Sequence, residues 1–352
     1  MKRLLLAMIT LVCMASSITA FADALDEGYQ AFKAKDYRKA ADQLRPLAEK
    51  GNPYAQDALG FLYFGGLGVK QDFTEAARWR RKAVEQGYAN AQNNLGESYF
   101  NGMGVSKSDT EAVKWYRKAA EQGHAGGQNN LGSMYLEGRG VTKDYDEAAR
   151  WIRKAAEQGE IHALKNLGVL YRDGKGVPQD DNEAIRWLRK AAGQGYIPAY
   201  VVLGSLYEGG RGIPKDRTEA IKWYQGAAEQ GDGVAADMLG RMHLQGDGVP
   251  KDYTEAVRWF RKAAEWGHPE VLNTLGWVYA KSREGVVEDQ VESLKWLVLA
   301  ANRGHKRATE IAEAYKKILA PEQIAKAQED AQVWADTYWN DFYPLLGTIP
   351  KP

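Results

Sequence analysis

The sequence predicts an all-α solenoid of antiparallel helix-turn-helix repeats with a period of 36 residues, and three observations predict it. The pair Leu59-Gly60 returns as Leu95-Gly96, Leu131-Gly132, Leu167-Gly168, Leu203-Gly204, Leu239-Gly240 and Leu275-Gly276. A tryptophan keeps the same interval at Trp79, Trp115, Trp151, Trp187, Trp223 and Trp259, with one longer step to Trp296. Between the two, every unit carries a helix-start signal, Asp72 or its image. Self-similarity at a period of about 20 to 50 residues marks a repeat protein, because one helical hairpin cannot bury a core and has to stack on the next.

Taken in order, residues 1–22 read as a secretory signal peptide. Lys2 and Arg3 precede an apolar stretch from Leu4 to Met14, and Ala20-Phe21-Ala22 supplies a small-residue cleavage pattern, so the mature chain begins near Asp23. A membrane anchor needs about 18 apolar residues in a row. Cys13 follows Val12, not the Gly, Ala or Ser of a lipidation site. Residues 23–51 predict an N-terminal capping pair: a short helix from Leu25, then a second opened by Asp36-Tyr37 and carrying Ala40, Leu44 and Leu47.

Residues 52–304 hold seven repeats. In the first, Ala55, Leu59 and Tyr63 lie four apart on one stripe of a helix A. Glycine inside a helix costs about 1 kcal/mol against alanine, so Gly60 and its images predict a close crossing by a second helix. After the Gly-rich turn Gly66-Leu67-Gly68-Val69, Asp72-Phe73-Thr74-Glu75 predicts a capping box at the start of helix B. Helix B carries Ala76, Trp79 and Ala83 on one stripe, has basic residues in its later turns, and ends at Gly87. Residues 305–352 predict two C-terminal capping helices and a tail, with Pro321 at a helix N1 position and Trp334, Tyr338, Trp339, Phe342 and Tyr343 as a hydrophobic cap.

Composition narrows the function classes. There are 47 basic and 46 acidic residues; without Lys2 and Arg3 the balance is −1, which gives nucleic acid no electrostatic footprint. The single cysteine lies in the signal, so a chain bound for an oxidising compartment would carry no disulfide and would depend on helix packing. No later apolar run approaches membrane-spanning length. A periplasmic or secreted location without membrane insertion of the mature chain follows.

With Leu-Gly-x-x-Tyr, Gly-x-Gly-Val, the helix-start signal, Ala-x-x-Trp and Ala-Ala-Glu-x-Gly all in phase, the unit resembles the Sel-one-like repeat, a relative of the tetratricopeptide repeat. The resemblance implies a right-handed superhelix whose A helices line a concave groove, and an adaptor, a regulator of signalling or envelope assembly, or a secreted protein in contact with a host. It names no partner.

Chemical motifs are thin. The Gly-x-Gly loops recur in phase, as turns do, whereas a phosphate loop occurs once after a strand. His124, His268 and His305 follow the glycine that ends a helix B in different units, and His162 and His243 sit on separate A helices, so no metal site or cofactor is predicted. Some cysteine-rich relatives have been discussed as β-lactam-binding enzymes, yet no serine begins Ser-x-x-Lys or lies in Gly-x-Ser-x-Gly. Lys82, Lys118, Lys154, Lys190 and Lys262, each followed three residues later by an acid or its image, read as a solvated face. An enzyme is therefore not expected. The leading reading is a scaffold or adaptor that binds protein; the alternative is an envelope hydrolase or a carbohydrate- or peptidoglycan-binding module.

If repeated residues are architecture, function should concentrate where a unit departs from its sisters. By the tetratricopeptide comparison, groove positions are 54, 57, 61 and 64 and their images. They hold Tyr54, Asp57, Phe61 and Phe64, with Phe100 following, mostly small or polar residues in the middle, and Trp277 at the last image of Phe61. His243 replaces the repeat tyrosine, and Trp266 replaces the repeat glutamine. Tyr54, Phe61, Phe64, Phe100, His243 and Trp277 are the candidate protein-binding residues, since aromatic side chains are the usual anchors of interfaces. Core or cap packing is the competing role of each.

Overall fold

In six of the seven repeats the chain leaves helix A through glycine, the seventh leaving through Ala280, and in all seven it enters helix B through an acidic or hydroxyl cap. The computed structural model describes residues 24–210 and 213–339; residues 1–22, expected to be a signal peptide, and Arg211, Gly212, Phe342 and Tyr343 lie outside the described residues. Among these there are eighteen helices and no strand. Helix α1 (24–33) and α2 (Tyr37–Glu49) precede the repeats. The A helices are α3 (Pro53–Gly65), α5 (Ala89–Asn101), α7 (Ala125–Glu137), α9 (Ile161–Asp173), α11 (Ile197–Gly209), α13 (Gly233–Gln245) and α15 (Pro269–Tyr279). The B helices are α4 (Phe73–Glu85), α6 (Asp109–Glu121), α8 (Tyr145–Glu157), α10 (Asp181–Gly193), α12 (Arg217–Glu229), α14 (Tyr253–Ala264) and α16 (Gln290–Asn302). Helices α17 (Lys306–Lys316) and α18 (Pro321–Tyr338) follow, with Pro321 in the first turn of α18.

Local chemistry explains the boundaries. Gly66 closes α3 with φ 64°, in the left-handed region that glycine enters without a Cβ penalty. Asp72 then accepts from the backbone N–H of Glu75 at 2.9 Å and caps α4. The reciprocal half of the predicted capping box is absent. The N–H of Asp72 instead donates to the carbonyl of Tyr63 at 2.9 Å, and Ser108, Asp144 and Asp216 repeat that bond to Tyr99, Tyr135 and Tyr207. With the cap N–H satisfied, the glutamate turns forward: Glu147 accepts from Arg150 and from the Trp151 indole at 3.1 Å, and Glu183 from the Trp187 indole at 3.0 Å.

The recurrent glycine of helix A marks a close crossing. A Cβ on Gly60 would sit 3.2 Å from the Ala76 carbonyl and 2.9 Å from Arg80 Cγ; at Gly96 it would sit 2.7 Å from the Tyr116 ring, and at Gly132 3.1 Å from the Ala148 carbonyl. The repeat tryptophan lies behind this contact. Its lysines do more than stand in solvent: Lys82, Lys118, Lys154, Lys190 and Lys262 place Nζ 4.3–5.1 Å from the rings of Trp79, Trp115, Trp151, Trp187 and Trp259. Basic side chains four residues before these lysines pair with the forward-turned glutamates, as Lys114 does with Glu111 and Arg150 with Glu147. Stems packed on indoles with heads at water give each B helix an amphipathic cover.

The chain divides into two compact units at Gln179 and Asp180. In the first, polar side chains link successive repeats. Asn94 donates to Asp57 at 3.0 Å, Asn130 to Asn93 at 3.0 Å and Asn166 to Asn129 at 2.9 Å. Gln86 donates to Gln56 at 2.9 Å, Gln122 to Gln92 at 2.7 Å and Gln158 to Gln128 at 2.8 Å. Asp57, Asn93 and Asn129, expected to line a groove, are buried in this ladder instead. The second unit fills the corresponding positions largely with apolar residues, and one continuous core runs from Ala220 in α12 to Trp339. Trp334 of α18 meets Trp296 edge-on at 4.8 Å, and Trp339 donates to the Glu265 carbonyl at 3.1 Å. Burying side chains of this size contributes about 1.5–3 kcal/mol each.

Candidate functional site

The candidate residues fall into separate places, and each follows from its element. In the first unit, Phe61 projects from α3 and remains 44% exposed. Its ring meets Phe32 of α1 at 5.4 Å, while Tyr54 meets Tyr29 edge-on at 6.0 Å. Helix α1 thereby lies beside the A-helix face and covers part of it. Burial, with Tyr29 beside it, pushes the Tyr54 phenol up to about 12, so it stays a neutral donor at ordinary pH. Phe64 and Phe100 stand elsewhere: Phe64 packs on Phe73 at 5.2 Å and under the Arg80 guanidinium at 4.8 Å, and Phe100 lies 4.1 Å under that of Arg139.

Arg80 escaped the sequence reading. Its images are Tyr116 and Ile152, yet here a cation lies only 3% exposed, donating to Ser98 Oγ at 2.8 Å and to the Asn94 carbonyl at 3.3 Å. Its Nε has no hydrogen-bond partner. Burial lowers the arginine's pKa and raises that of Asp57, which Asn94 and the Arg80 charge pull back down. The signal was present as two unlike residues at 57 and 80, but their proximity depends on how helices stack.

In the second unit, Trp277 of α15 is 51% exposed. It borders a cleft of about 380 Å³ whose apolar walls are Leu244, Leu297, Ile311 and Tyr315, with Arg307 at its edge. The Arg283 guanidinium lies 4.0 Å from the Trp277 ring and donates to the carbonyls of Val278 and Lys281 at 2.9 and 2.8 Å. The loop between α15 and α16, within the longer step to Trp296, therefore braces the tryptophan.

His243 and Trp266 have architectural accounts. Five of the tyrosines at the position of His243 receive a hydrogen bond from an arginine 18 residues earlier, among them Tyr135 from Arg117 at 2.8 Å, Tyr171 from Arg153 at 3.0 Å and Tyr279 from Arg261 at 2.9 Å. At 225, where that arginine would stand, there is Gln225, and the buried Nδ1 of His243 has no hydrogen-bond partner. The two departures are one lost brace. Trp266 donates to the Gly231 carbonyl at 3.0 Å and covers Gly233, whose missing side chain leaves it room. Two other histidines cap helices, His124 Nδ1 accepting from Gly127 N–H at 2.9 Å and His305 Nδ1 from Ala308 N–H at 3.0 Å.

Consecutive helix pairs of nearly one length, joined by a recurring turn and stacked within each unit, define an α-solenoid of the tetratricopeptide-like class. The chain belongs to the Sel1 repeat family: the family model matches seven times, over residues 53–88, 89–124, 125–160, 161–196, 197–232, 233–268 and 269–305. Among solved structures it is similar to c5321, a protective antigen present in uropathogenic Escherichia coli strains and displaying an SLR fold, at 35% identity and a TM-score of 0.69 over 93% of this chain and 71% of that one. It is also similar to a Sel1 repeat protein from Oxalobacter formigenes, at 40% identity and a TM-score of 0.63 over 68% of this chain and 96% of that one. A comparison with curated proteins returned no match. Repeats of this class generally mediate protein–protein interactions, and Sel1 repeat proteins are typically non-catalytic scaffolds. No described helix is long and apolar enough to cross a membrane.

Proposed function

We propose that this chain is an exported scaffold or adaptor that holds a segment of a partner protein against its A-helix face, with Trp277 as the principal anchor. The observation that carries the reading is the half-exposed Trp277 indole beside an apolar cleft between α15 and α17. An exposed indole held by an overlying guanidinium is preorganised for contact and loses little side-chain freedom on binding. Export rests on Lys2, Arg3, the apolar stretch to Met14 and the Ala20-Phe21-Ala22 pattern, and places the protein in the periplasm or outside the cell. The helices at 23–51 and 305–339 then act as caps, and Phe61 with Tyr54 forms a second contact patch in the first unit.

A photo-crosslinker at position 277 should capture one partner in the native compartment, and the same probe at exposed Tyr145 on a B helix should not. Trp277→Ala should weaken that partner at least tenfold, about 1.4 kcal/mol, while the helical circular dichroism stays unchanged. A folded Trp277→Ala variant with undiminished capture would remove this face from the interface.

A further inference from the structure

We propose that the second unit carries an anion site on its B-helix side, at α10, which takes a phosphate monoester borne on a sugar-sized group. It lies on different helices from the protein-binding face proposed above and stands or falls independently of it.

The sister clefts beside α6, α8 and α10 share their cations and differ in their acids. Beside α6, Lys114, Arg117 and Lys118 line a cleft together with Glu121. Beside α8, Arg150, Arg153 and Lys154 line another, together with Asp146 and Glu157. Beside α10 the three cations persist as Arg186, Arg189 and Lys190, around a cleft of about 420 Å³ completed by Asn182, Ile185, Tyr207 and Ile213. The carboxylate shared by the α6 and α8 clefts is gone, and so is the second one of the α8 cleft. The image of Glu121 and Glu157 is Gly193, and the image of Asp146 is Asn182. Glu85, Glu229 and Glu265 keep the acid in other units, so its loss at 193 is a departure from the repeat. Where the acid is kept after α10, the cations thin out or are engaged: Gln225 and Gly226 replace two of them in α12, and Arg261 pairs with Glu292 at 2.9 Å in α14.

Two acids of α10 remain: Asp181 is buried, and Glu183 is occupied. Glu183 accepts from Arg186 at 2.5 Å and from the Trp187 indole at 3.0 Å. Arg189 donates to the Tyr207 hydroxyl at 2.5 Å, and Lys190 lies 4.3 Å over Trp187. Among the described residues, no carboxylate forms an ion pair with Arg189 or Lys190. Two cations without a counter-ion suit a dianion, and a guanidinium offers paired N–H donors that match phosphate geometry. Ile185, Ile213 and the Tyr207 ring supply an apolar wall for the face of a sugar, and the volume falls within the ordinary range for small-ligand sites.

Isothermal titration of the purified chain with glucose 6-phosphate tests the proposal, with glucose as the uncharged control. Expected are one saturable equivalent for the phosphate ester, none for glucose, and weakening as salt rises. Gly193→Glu restores the sister acid where an added Cβ meets nothing within 4 Å, and should weaken binding about tenfold at an unchanged melting temperature. The pair Asp146→Asn and Glu157→Gly should add a second equivalent at α8. Cosedimentation with vesicles containing phosphatidic acid assigns the source: binding abolished by Gly193→Glu there, at concentrations where glucose 6-phosphate is weak, supports the same chemistry on a lipid. Equal affinity of the parent and Gly193→Glu for every phosphate monoester overturns the site, as does binding of polyglutamate alone.

Discussion

The first unit joins its repeats with directional bonds, and the second joins them with oil. In the first, Asn130 reaches Asn93 and Gln122 reaches Gln92, each across about one repeat. In the second, the image of Asn130 is Val202, then Met238, and the image of Gln92 is Tyr200, then Ala236. A hydrogen bond between buried amides fixes register, because any slip leaves unpaired donors at about 1–3 kcal/mol each. Apolar contact tolerates slip but stabilises more broadly, and the second unit ends in the indole cluster of Trp296, Trp334 and Trp339. The half-exposed aromatic cleft lies in the unit with the softer specification.

The turns sharpen this contrast most. Among the described residues, the second glycine of a Gly-x-Gly turn leans on the start of an earlier helix, α2 for Gly68 and the preceding B helix for the others. A Cβ on Gly104 would overlap the Phe73 carbonyl, whereas one on Gly248 would meet the Arg217 Cβ at 2.6 Å. Both have positive φ. Gly104→Ala should therefore destabilise by about 4 kcal/mol, since backbone cannot swing aside, and Gly248→Ala by about 2 kcal/mol. Denaturant unfolding of the two variants checks it; equal losses would mean that the turns are equivalent.

Next in size is the buried cation. Arg80→Ile alone should cost about 3 kcal/mol, because it leaves Asp57 buried with less compensating charge, whereas Arg80→Ile with Asp57→Asn should fall within about 1 kcal/mol of the parent. These are the residues of the sister positions Ile152 and Asn93. Asp57 has a raised pKa, so its protonated form is favoured in the folded state and its destabilising effect is present above the ordinary carboxylate range. The deficit of Arg80→Ile should accordingly shrink as pH falls toward 4. A deficit independent of pH would assign the loss to packing alone.

The smallest effect concerns the ladder. Asn130→Val should cost about 1–2 kcal/mol by leaving Asn93 Oδ1 without its donor. Met238→Ala, at the corresponding place in the second unit, removes only apolar contact from a half-buried side chain and should cost about 1 kcal/mol. Thermal melts of both decide whether direction or area holds the repeats.

Much of this was legible in the sequence because it was repeated. Gly60, Trp79, Asp72 and Gly66 announce a crossing, a buried ring, a cap and a turn, each a local effect visible within one unit. The ladders were not legible as such. Asn93, Asn94, Gln92 and Gln122 stand in the sequence in phase, but a bond from 94 to 57 exists only after stacking sets which faces meet. The same holds for Glu147, which was free to turn forward only because a carbonyl from the preceding helix had satisfied the cap N–H. Arg80 and Asp57 illustrate the opposite failure: two departures in different helices carry meaning only as a pair. Phe61 and Trp277 stand in the sequence as aromatics with packing and binding both open; they are about half exposed, and the help that Phe32 and Arg283 give them depends on neighbours outside the repeat pattern.

The ladder of the first unit also bears on how such a chain can lengthen. A copied block of 36 residues brings one amide donor facing backward and one acceptor facing forward, together with one arginine and one tyrosine for the brace. Inserted in frame between Asn93 and Asn130, it would leave every old bond with an equivalent new partner. Growth by duplication is thus neutral in hydrogen bonds throughout that unit, whereas a copy carrying Gln225 or His243 would propagate the missing brace with it.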